Sequence, residues 1–157
     1  RWCVSLRLAG GAFKKVDYDV VRGRAVRKCV PAEHLVVPYE TSDLDTVSNL
    51  AHVIRMNLND LRKQQLAGVY RDIPIIAQQA EADEVQGELD RITGFEPGSI
   101  DYDCTLIEFH VNLDLEGFED TDSDGEPTGI KIPYIVTISQ DNGQVLSIRR
   151  NYREDDE

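Results

Sequence analysis

The residues best placed to do chemistry in this chain are three aspartates at alternate positions of an acidic segment. Asp120, Asp122 and Asp124 are followed directly by Gly125. Carboxylates at the first, third and fifth places with glycine at the sixth begin a calcium-binding EF-hand loop. The twelfth place of that loop requires a bidentate glutamate, and Lys131 stands there instead. We interpret the segment as a solvated hairpin loop, with weak cation binding by the three aspartates as the alternative.

The cysteines and histidines are too widely spaced to indicate a metal site or a disulfide framework. Three cysteines and three histidines are present, and none of them stands at the short spacing of a zinc knuckle. The odd number of cysteines favours a reducing compartment. We interpret the histidines as structural residues with satisfied hydrogen bonds. The six residues are Cys3, Cys29, Cys104, His34, His52 and His110.

No pattern in the chain indicates catalysis or nucleotide binding. Gly10 and Gly11 lack the spacing of a dinucleotide fingerprint or a phosphate-binding loop. No serine or cysteine stands in a glycine-flanked turn of the kind that presents a nucleophile. We therefore predict a non-enzymatic protein without catalytic or cofactor-binding residues. A cryptic hydrolase fragment, with a site assembled from distant residues, is a third possibility.

The net charge of −12 is unevenly distributed along the chain. Residues 1–30 contain eight Lys/Arg against two aspartates, whereas residues 81–126 contain sixteen Asp/Glu against Arg91. We interpret the basic end as solvated strand faces rather than a nucleic-acid surface, because the acidic section would repel phosphate. The same polarity suits head-to-tail packing of subunits. No apolar run approaches the roughly 20 residues of a membrane helix, so we expect no membrane association.

The elements that must position these residues are predicted by hydrophobic periodicity. Alternating patterns predict a first hairpin of strands over residues 4–8 and 13–21, followed by a strand over 26–30 after a turn at Gly23. A short edge or crossing segment bounded by prolines is predicted over 35–39. A long alternation predicts a strand over 104–115. The closing segment predicts a hairpin of residues 132–138 and 145–148. Its Asn142-Gly143 pair favours a type I′ turn.

The centre of the chain predicts helices. Cap-like residues and helical spacing predict a helical turn over residues 42–50. A helix capped by Asn59 ends at Gly68, and a strand over 52–56 precedes it. A second, exposed helix is predicted over 77–93.

Together these elements predict one α+β domain over residues 1–157, mainly antiparallel sheet with two or three inserted helices. Residues 1–40 supply the amino-terminal strands, residues 42–94 are mostly helical, and residues 104–151 supply the carboxy-terminal strands and hairpin. We expect the domain to be a fragment of a longer protein.

Three stretches of the sequence resemble, in the same order, segments of the portal proteins of tailed bacteriophages and prophages. The first is Glu-His-Leu-Val-Val-Pro-Tyr at 33–39, continuing with Asp-Leu-Asp at 43–45. The second runs from His-Val-Ile-Arg at 52–55 through Asn-Asp-Leu-Arg-Lys at 59–63 to Gly-Val-Tyr-Arg-Asp at 68–72. The third runs from Glu-Phe-His at 108–110 through the closing hairpin to Asn151. The resemblance places the chain near the wing of a portal subunit, without the stem helices, clip and crown.

The resemblance implies a structural role without enzymatic activity. Portal subunits form a homo-oligomeric ring at a capsid vertex, through which the terminase motor packs DNA and from which DNA is ejected. The implied partners are other portal subunits, the capsid and the terminase. DNA passes the ring without a specific site in this fragment. The implied location is the capsid vertex of the virion, and the host cytoplasm during assembly.

The charge distribution and the acidic segment each lead to a hypothesis about binding. In a ring with heterologous contacts, the basic and acidic regions of neighbouring subunits would meet, with Lys14 and Lys15 on the basic side. The alternative to the portal is a cation-dependent protein-interaction module, with Asp120, Asp122 and Asp124 as the ligands.

Overall fold

A computed structural model of the chain describes residues 11, 13–44, 47–75 and 104–152. The strands of this part form two antiparallel sheets, one of two strands and one of five. A side-chain contact between Lys15 and Glu108, described with the candidate site below, joins the smaller sheet to the centre of the larger one.

The two-stranded sheet is a hairpin of β1 (Phe13–Asp19) and β2 (Arg24–Val30). Side chains of β1 alternate between partly buried and exposed, as expected for a strand with one face toward the protein. Gly23 lies in the turn with a φ of 63°, a conformation that glycine adopts without steric cost. The predicted strands over 13–21 and 26–30 and the turn between them are confirmed, with β1 ending at Asp19. The predicted strand over 4–8 lies outside the described residues.

The five-stranded sheet has the strand order β3-β4-β5-β6-β7. The short edge segment and the other strands predicted in this part of the chain are confirmed. At 10 residues, β5 is the longest described strand, and it pairs with β4 on one side and β6 on the other. The strands are β3 (Leu35–Val36), β4 (Leu50–Met56), β5 (Cys104–Leu113), β6 (Ile132–Ser139) and β7 (Val145–Arg150).

The predicted helix after β4 is present as α1 (Leu58–Leu66). Its cap is Asn57, whose side chain accepts a hydrogen bond of 2.7 Å from the N–H of Asp60. The cap predicted from the sequence, Asn59, is wrong by two residues. Gly68 follows the helix with a φ of 75°, as predicted for its end. In the described part of the chain, no helix is long and apolar enough to cross a membrane.

The core lies where α1 meets the larger sheet. Leu61 of α1, Cys104 and Leu106 of β5, and Leu146 of β7 form a buried cluster. The β6–β7 ladder pairs Thr137 with Ser147 and Ile138 with Val145, so Leu146 is the extra residue of a β-bulge. The bulge allows Leu146 to enter the same cluster as Leu106, and both side chains are fully buried.

The predicted α+β class with two or three inserted helices is wrong. The described residues are mainly antiparallel sheet, and α1 is their one helix of seven residues or more. Residues 42–44 and 47–49 contain no helix, and Leu50 begins β4 opposite His110. The ladder to β5 thus outweighs the weak local helical spacing. The predicted helix over 77–93 lies outside the described residues.

The predicted type I′ turn is also wrong. Such a turn requires positive φ at both central residues, but among the described residues only glycines have positive φ. Gly143 has a φ of 66°, whereas Asn142 does not share that conformation. Ser139 donates its N–H to the carbonyl of Gln144 at 2.9 Å, so four residues rather than two form the loop. Asn142 contributes its side chain instead, which accepts the N–H of Gln144.

The core assignment predicts the effect of removing one leucine. Leu106→Ala should lower the free energy of unfolding by about 3 kcal/mol, because the side chain is 0% exposed and the neighbours cannot fill the cavity completely. Leu66→Ala is the matched control, since Leu66 is 74% exposed at the end of α1; its effect should stay below about 1 kcal/mol. Urea unfolding followed by circular dichroism measures both, and equal losses would contradict this core.

Candidate functional site

A buried carboxylate stands out chemically at the centre of the larger sheet. Glu108 is 3% exposed and lies in the middle of β5. An ionised carboxylate in such a position is costly unless basic groups and hydrogen-bond donors surround it. The neighbours of Glu108 therefore determine what this position does.

Three basic side chains meet this carboxylate. Lys15 of β1 donates from Nζ to Oε1 of Glu108. The Nε2 atom of His110 lies 3.0 Å from the same oxygen, and Nη2 of Arg149 lies 3.6 Å from Oε2. We call Glu108, Lys15, His110 and Arg149 the Glu108 cluster. It joins β1, β5 and β7, and thereby fixes the hairpin to the larger sheet.

Strand alternation and register place the members of the cluster. Glu108 and His110 are two residues apart on β5, so they share one face of the sheet. The ladders set His52 of β4 and Thr137 of β6 opposite Glu108. Lys15 is 93 residues away in sequence. Alternation therefore indicated the pair on β5, but no local signal in the sequence pointed to Lys15.

The basic neighbours keep Glu108 ionised. Burial is the largest single influence and raises the pKa of its carboxyl group, but the hydrogen bond with His110 and the charge and hydrogen bond of Lys15 together lower the pKa to about 2. A carboxylate with so low a pKa is a weak proton acceptor at neutral pH. The geometry thus suits a structural ion cluster better than a general base.

His52 lies opposite Glu108 but is held neutral. Burial, followed by the charge of Lys15, lowers the pKa of His52 to about 4. Burial and the charge of Arg55 also lower the pKa of His34. Within the described residues, Nδ1 of His52 and Nε2 of His34 are buried without a hydrogen-bond partner. The interpretation of satisfied histidines is therefore wrong for these two, whereas His110 has its partner in Glu108.

Two open grooves lie away from the Glu108 cluster. One, of about 380 Å³, runs between α1 and residues 72–75. The other, of about 470 Å³, runs between residues 68–71 and residues 145–148 of β7. Neither of these two grooves is lined by a member of the Glu108 cluster, so they add no ligand site to it.

The connection between β5 and β6, residues 114–131, contains the three predicted cation ligands, and we call it the acidic loop. Asp122 is used in the fold of the loop itself. Its Oδ1 accepts the backbone N–H groups of Asp124 at 2.9 Å and of Glu126 at 3.0 Å. This Asx-type geometry stabilises the turn.

Asp120 is also bonded within the acidic loop. Its Oδ2 accepts a hydrogen bond of 2.7 Å from the hydroxyl of Thr128, whose N–H donates to the Asp120 carbonyl. In the part of the chain that the structure describes, no group of three or more His, Cys, Asp and Glu residues is placed to hold a metal ion. The three aspartates thus share one small loop, and two of them serve its own hydrogen bonds.

The cysteines belong to separate regions. Cys29 is exposed on β2 and Cys104 is buried in the core, and neither forms a disulfide within the described residues. Cys3 lies outside the described residues. The two described cysteines therefore contribute neither to the Glu108 cluster nor to the acidic loop.

Comparison with known proteins gives no family. No protein-family model matches the chain, and no curated protein matches it. Function is therefore argued from the residues and their geometry.

The Glu108 cluster predicts a strong effect of removing its lysine. Lys15→Met should lower the free energy of unfolding by about 3 kcal/mol, because a buried carboxylate loses part of its compensation. The control is Lys63→Met, which breaks the exposed ion pair with Asp60 at 2.8 Å and should cost less than about 1 kcal/mol.

A second variant separates charge from packing. Adding Glu108→Leu to Lys15→Met should recover part of the loss, since the uncompensated charge disappears. Denaturant unfolding of the wild type, Lys15→Met, Glu108→Leu and the double variant measures the coupling between the two residues. If the two substitutions change the free energy of unfolding additively, the interaction between Lys15 and Glu108 is contradicted.

The pKa of His52 predicts how stability depends on pH. The pKa of about 4 in the folded chain lies below the usual histidine pKa of 6.5, so the unfolded chain binds more protons between these pH values. Stability should therefore decrease, by on the order of 2 kcal/mol, as the pH falls from about 6.5 to about 4. Glu108 affects stability at lower pH than His52. Its contribution to the free energy of unfolding is complete above about pH 4.5 and is lost as the pH falls toward about 2.

His52→Gln tests the assignment of this pH dependence. The variant should show a shallower decrease of stability between about pH 6.5 and about pH 4. The part of the decrease that is due to His34 should remain. Urea unfolding at several pH values measures both slopes. An unchanged slope in the variant would rule out His52 as the main titrating group.

Proposed function

We propose that this chain is part of a structural subunit of a tailed-phage or prophage portal ring, which forms the capsid-vertex channel for DNA packaging and ejection. The observation that carries the proposal is the convergence of the three portal-like stretches in one sheet. The first stretch contains β3, the second contains most of β4 and all of α1, and the third contains part of β5 with β6 and β7. Chance matches scattered along the sequence would have no reason to form one unit.

The Glu108 cluster supports a structural role. Its carboxylate is ionised and occupied by neighbours from its own chain, so it does not suit a site that takes protons from a substrate. Instead it fixes the β1–β2 hairpin on the larger sheet. A ring subunit requires such fixed elements, since each copy must present the same surfaces to its neighbours.

The charge of the chain supports a place away from DNA. With a net charge of −12 and an exposed acidic loop, its surface repels phosphate. In this proposal the described sheets belong to the periphery of the ring, where the capsid and neighbouring subunits are the partners. The terminase and the DNA would engage other parts of the subunit.

The cation-dependent module receives no comparable support. Asp120 and Asp122 already accept hydrogen bonds within the acidic loop, and this use explains their spacing without a cation. The hydrolase alternative likewise gains nothing from a Glu108 carboxylate with a pKa of about 2.

The proposal predicts that the full-length product of the gene encoding this chain assembles into a closed ring with a central channel. Negative-stain electron microscopy together with light scattering after size-exclusion chromatography measures the assembly. A monomeric product with no helices beyond this fragment would contradict the portal proposal. A rise in Tm of that monomer on addition of calcium would then support the cation-dependent module.

A further inference from the structure

We infer that copies of this chain meet head to tail, with the outer face of the β1–β2 hairpin of one copy on the acidic loop of the next. This inference rests on the proposed function, since it names the contact between ring neighbours. The chemistry of the two surfaces and their placement on opposite sides of the larger sheet support this contact.

The outer face of the hairpin is both apolar and basic. Lys15 points toward the protein, whereas Val16 and Tyr18 on the opposite face are 69% and 61% exposed. Arg27 stands opposite Val16 in the register and therefore lies on the same outer face. It is exposed, and within the described residues it has no ion pair or side-chain hydrogen bond. We call Val16, Tyr18 and Arg27 the hairpin patch.

This patch replaces the lysines suggested by the sequence. Lys15 is bound to Glu108 within its own chain, and Lys14 also has an interaction within the chain. Reversing the charge of Lys15 would therefore disturb the fold before it tested any contact between subunits. Among the described residues, Arg27 is the basic group on the outer face of the hairpin that remains available to a neighbour.

The acidic loop presents the complementary chemistry. Phe118 is 71% exposed, and the side chains of Glu116, Asp124 and Glu126 are exposed without a hydrogen-bond partner among the described residues. We call these four residues the loop patch. An exposed aromatic side chain among carboxylates suits a surface with exposed tyrosine and arginine, the residue types that contribute most to protein interfaces.

The two patches lie on opposite sides of the larger sheet. Lys15 reaches Glu108 on one face. On the other face, the hydroxyl of Tyr134 donates a hydrogen bond of 3.2 Å to the carbonyl of Phe118. Tyr134 pairs with Val111, which points away from the Glu108 side because side chains alternate along β5. One chain therefore cannot join its own patches, and a contact between them must link different copies.

A contact between two different surfaces is heterologous. Repeated from copy to copy, it builds a closed ring where the rotation closes and a filament where it does not. The arrangement thus provides the polarity that a ring of identical subunits requires. The acidic loop is the occupant that charge complementarity selects for the hairpin patch.

Charge reversal with rescue tests the inference in the full-length protein. One variant carries Arg27→Glu, and the other carries Asp124→Lys and Glu126→Lys. Each alone should associate at least about tenfold more weakly, because like charges then face each other. An equimolar mixture of the two variants should regain assembly. The reversed hairpin patch of one variant then meets the reversed loop patch of the other, and the contact between their native patches is unchanged.

The controls separate folding from association. Asp122 binds the backbone N–H groups of residues 124 and 126, so the lysine substitutions leave the turn intact and Tm should stay near the wild-type value. Arg24→Glu makes the same charge change as Arg27→Glu on the same strand, but residue 24 pairs with Asp19 and lies on the other face of the hairpin, so it should not affect assembly. Analytical ultracentrifugation and electron microscopy measure the outcome for each protein.

The outcomes distinguish this inference from the proposed function. Wild-type assembly by both reversed variants, or loss without recovery in the mixture, would overturn the contact while a ring formed by the wild type still supports the portal. If the wild type forms no ring, its association into smaller assemblies or filaments, lost in each variant and regained in the mixture, would support the contact, and the absence of such association would overturn it. Single-stranded DNA bound by the wild type and released by Arg27→Glu, with assembly unchanged, would assign the patch to nucleic acid instead.

Discussion

An ionised carboxylate at the centre of a sheet is stable only where basic groups surround it, and Glu108 meets this condition through side chains from three strands. The condition links distant parts of the chain, because Lys15 must come from the amino-terminal hairpin and Arg149 from the last strand. The position of the hairpin on the sheet follows from this need. The same need explains the low pKa of Glu108 and contributes, through Lys15, to the neutral state of His52.

The position of the hairpin in turn decides which surfaces the molecule presents. With Lys15 directed inward, the alternation of β1 turns Val16 and Tyr18 outward, beside Arg27, which has no ion pair within the described part of the chain. The acidic loop leaves the sheet on the opposite side, where Tyr134 holds the carbonyl of Phe118. A molecule with a basic, apolar surface on one side and an acidic, aromatic surface on the other is suited to polar assembly with its own copies.

The occupied carboxylates support the proposal of assembly rather than of chemistry on a substrate. The oxygens of Glu108 are occupied within the chain, and Asp120 and Asp122 stabilise the acidic loop that carries them. Both groups of carboxylates thus have structural tasks. This interpretation agrees with the three portal-like stretches, whose residues lie in strands, a helix and turns rather than in a catalytic motif.

The sequence by itself determined most of the local structure. Alternation located β1, β5 and the closing strands, and a capping pattern with Gly68 located α1 to within two residues, because these features depend on neighbours in the chain. Tertiary structure decided the rest. Pairing with β5 made a strand start at Leu50 where local spacing predicted a helix, and a four-residue loop formed where Asn142-Gly143 predicted a tighter turn. The Glu108 cluster depends on a contact across 93 residues, and no local pattern of residues encodes such a contact.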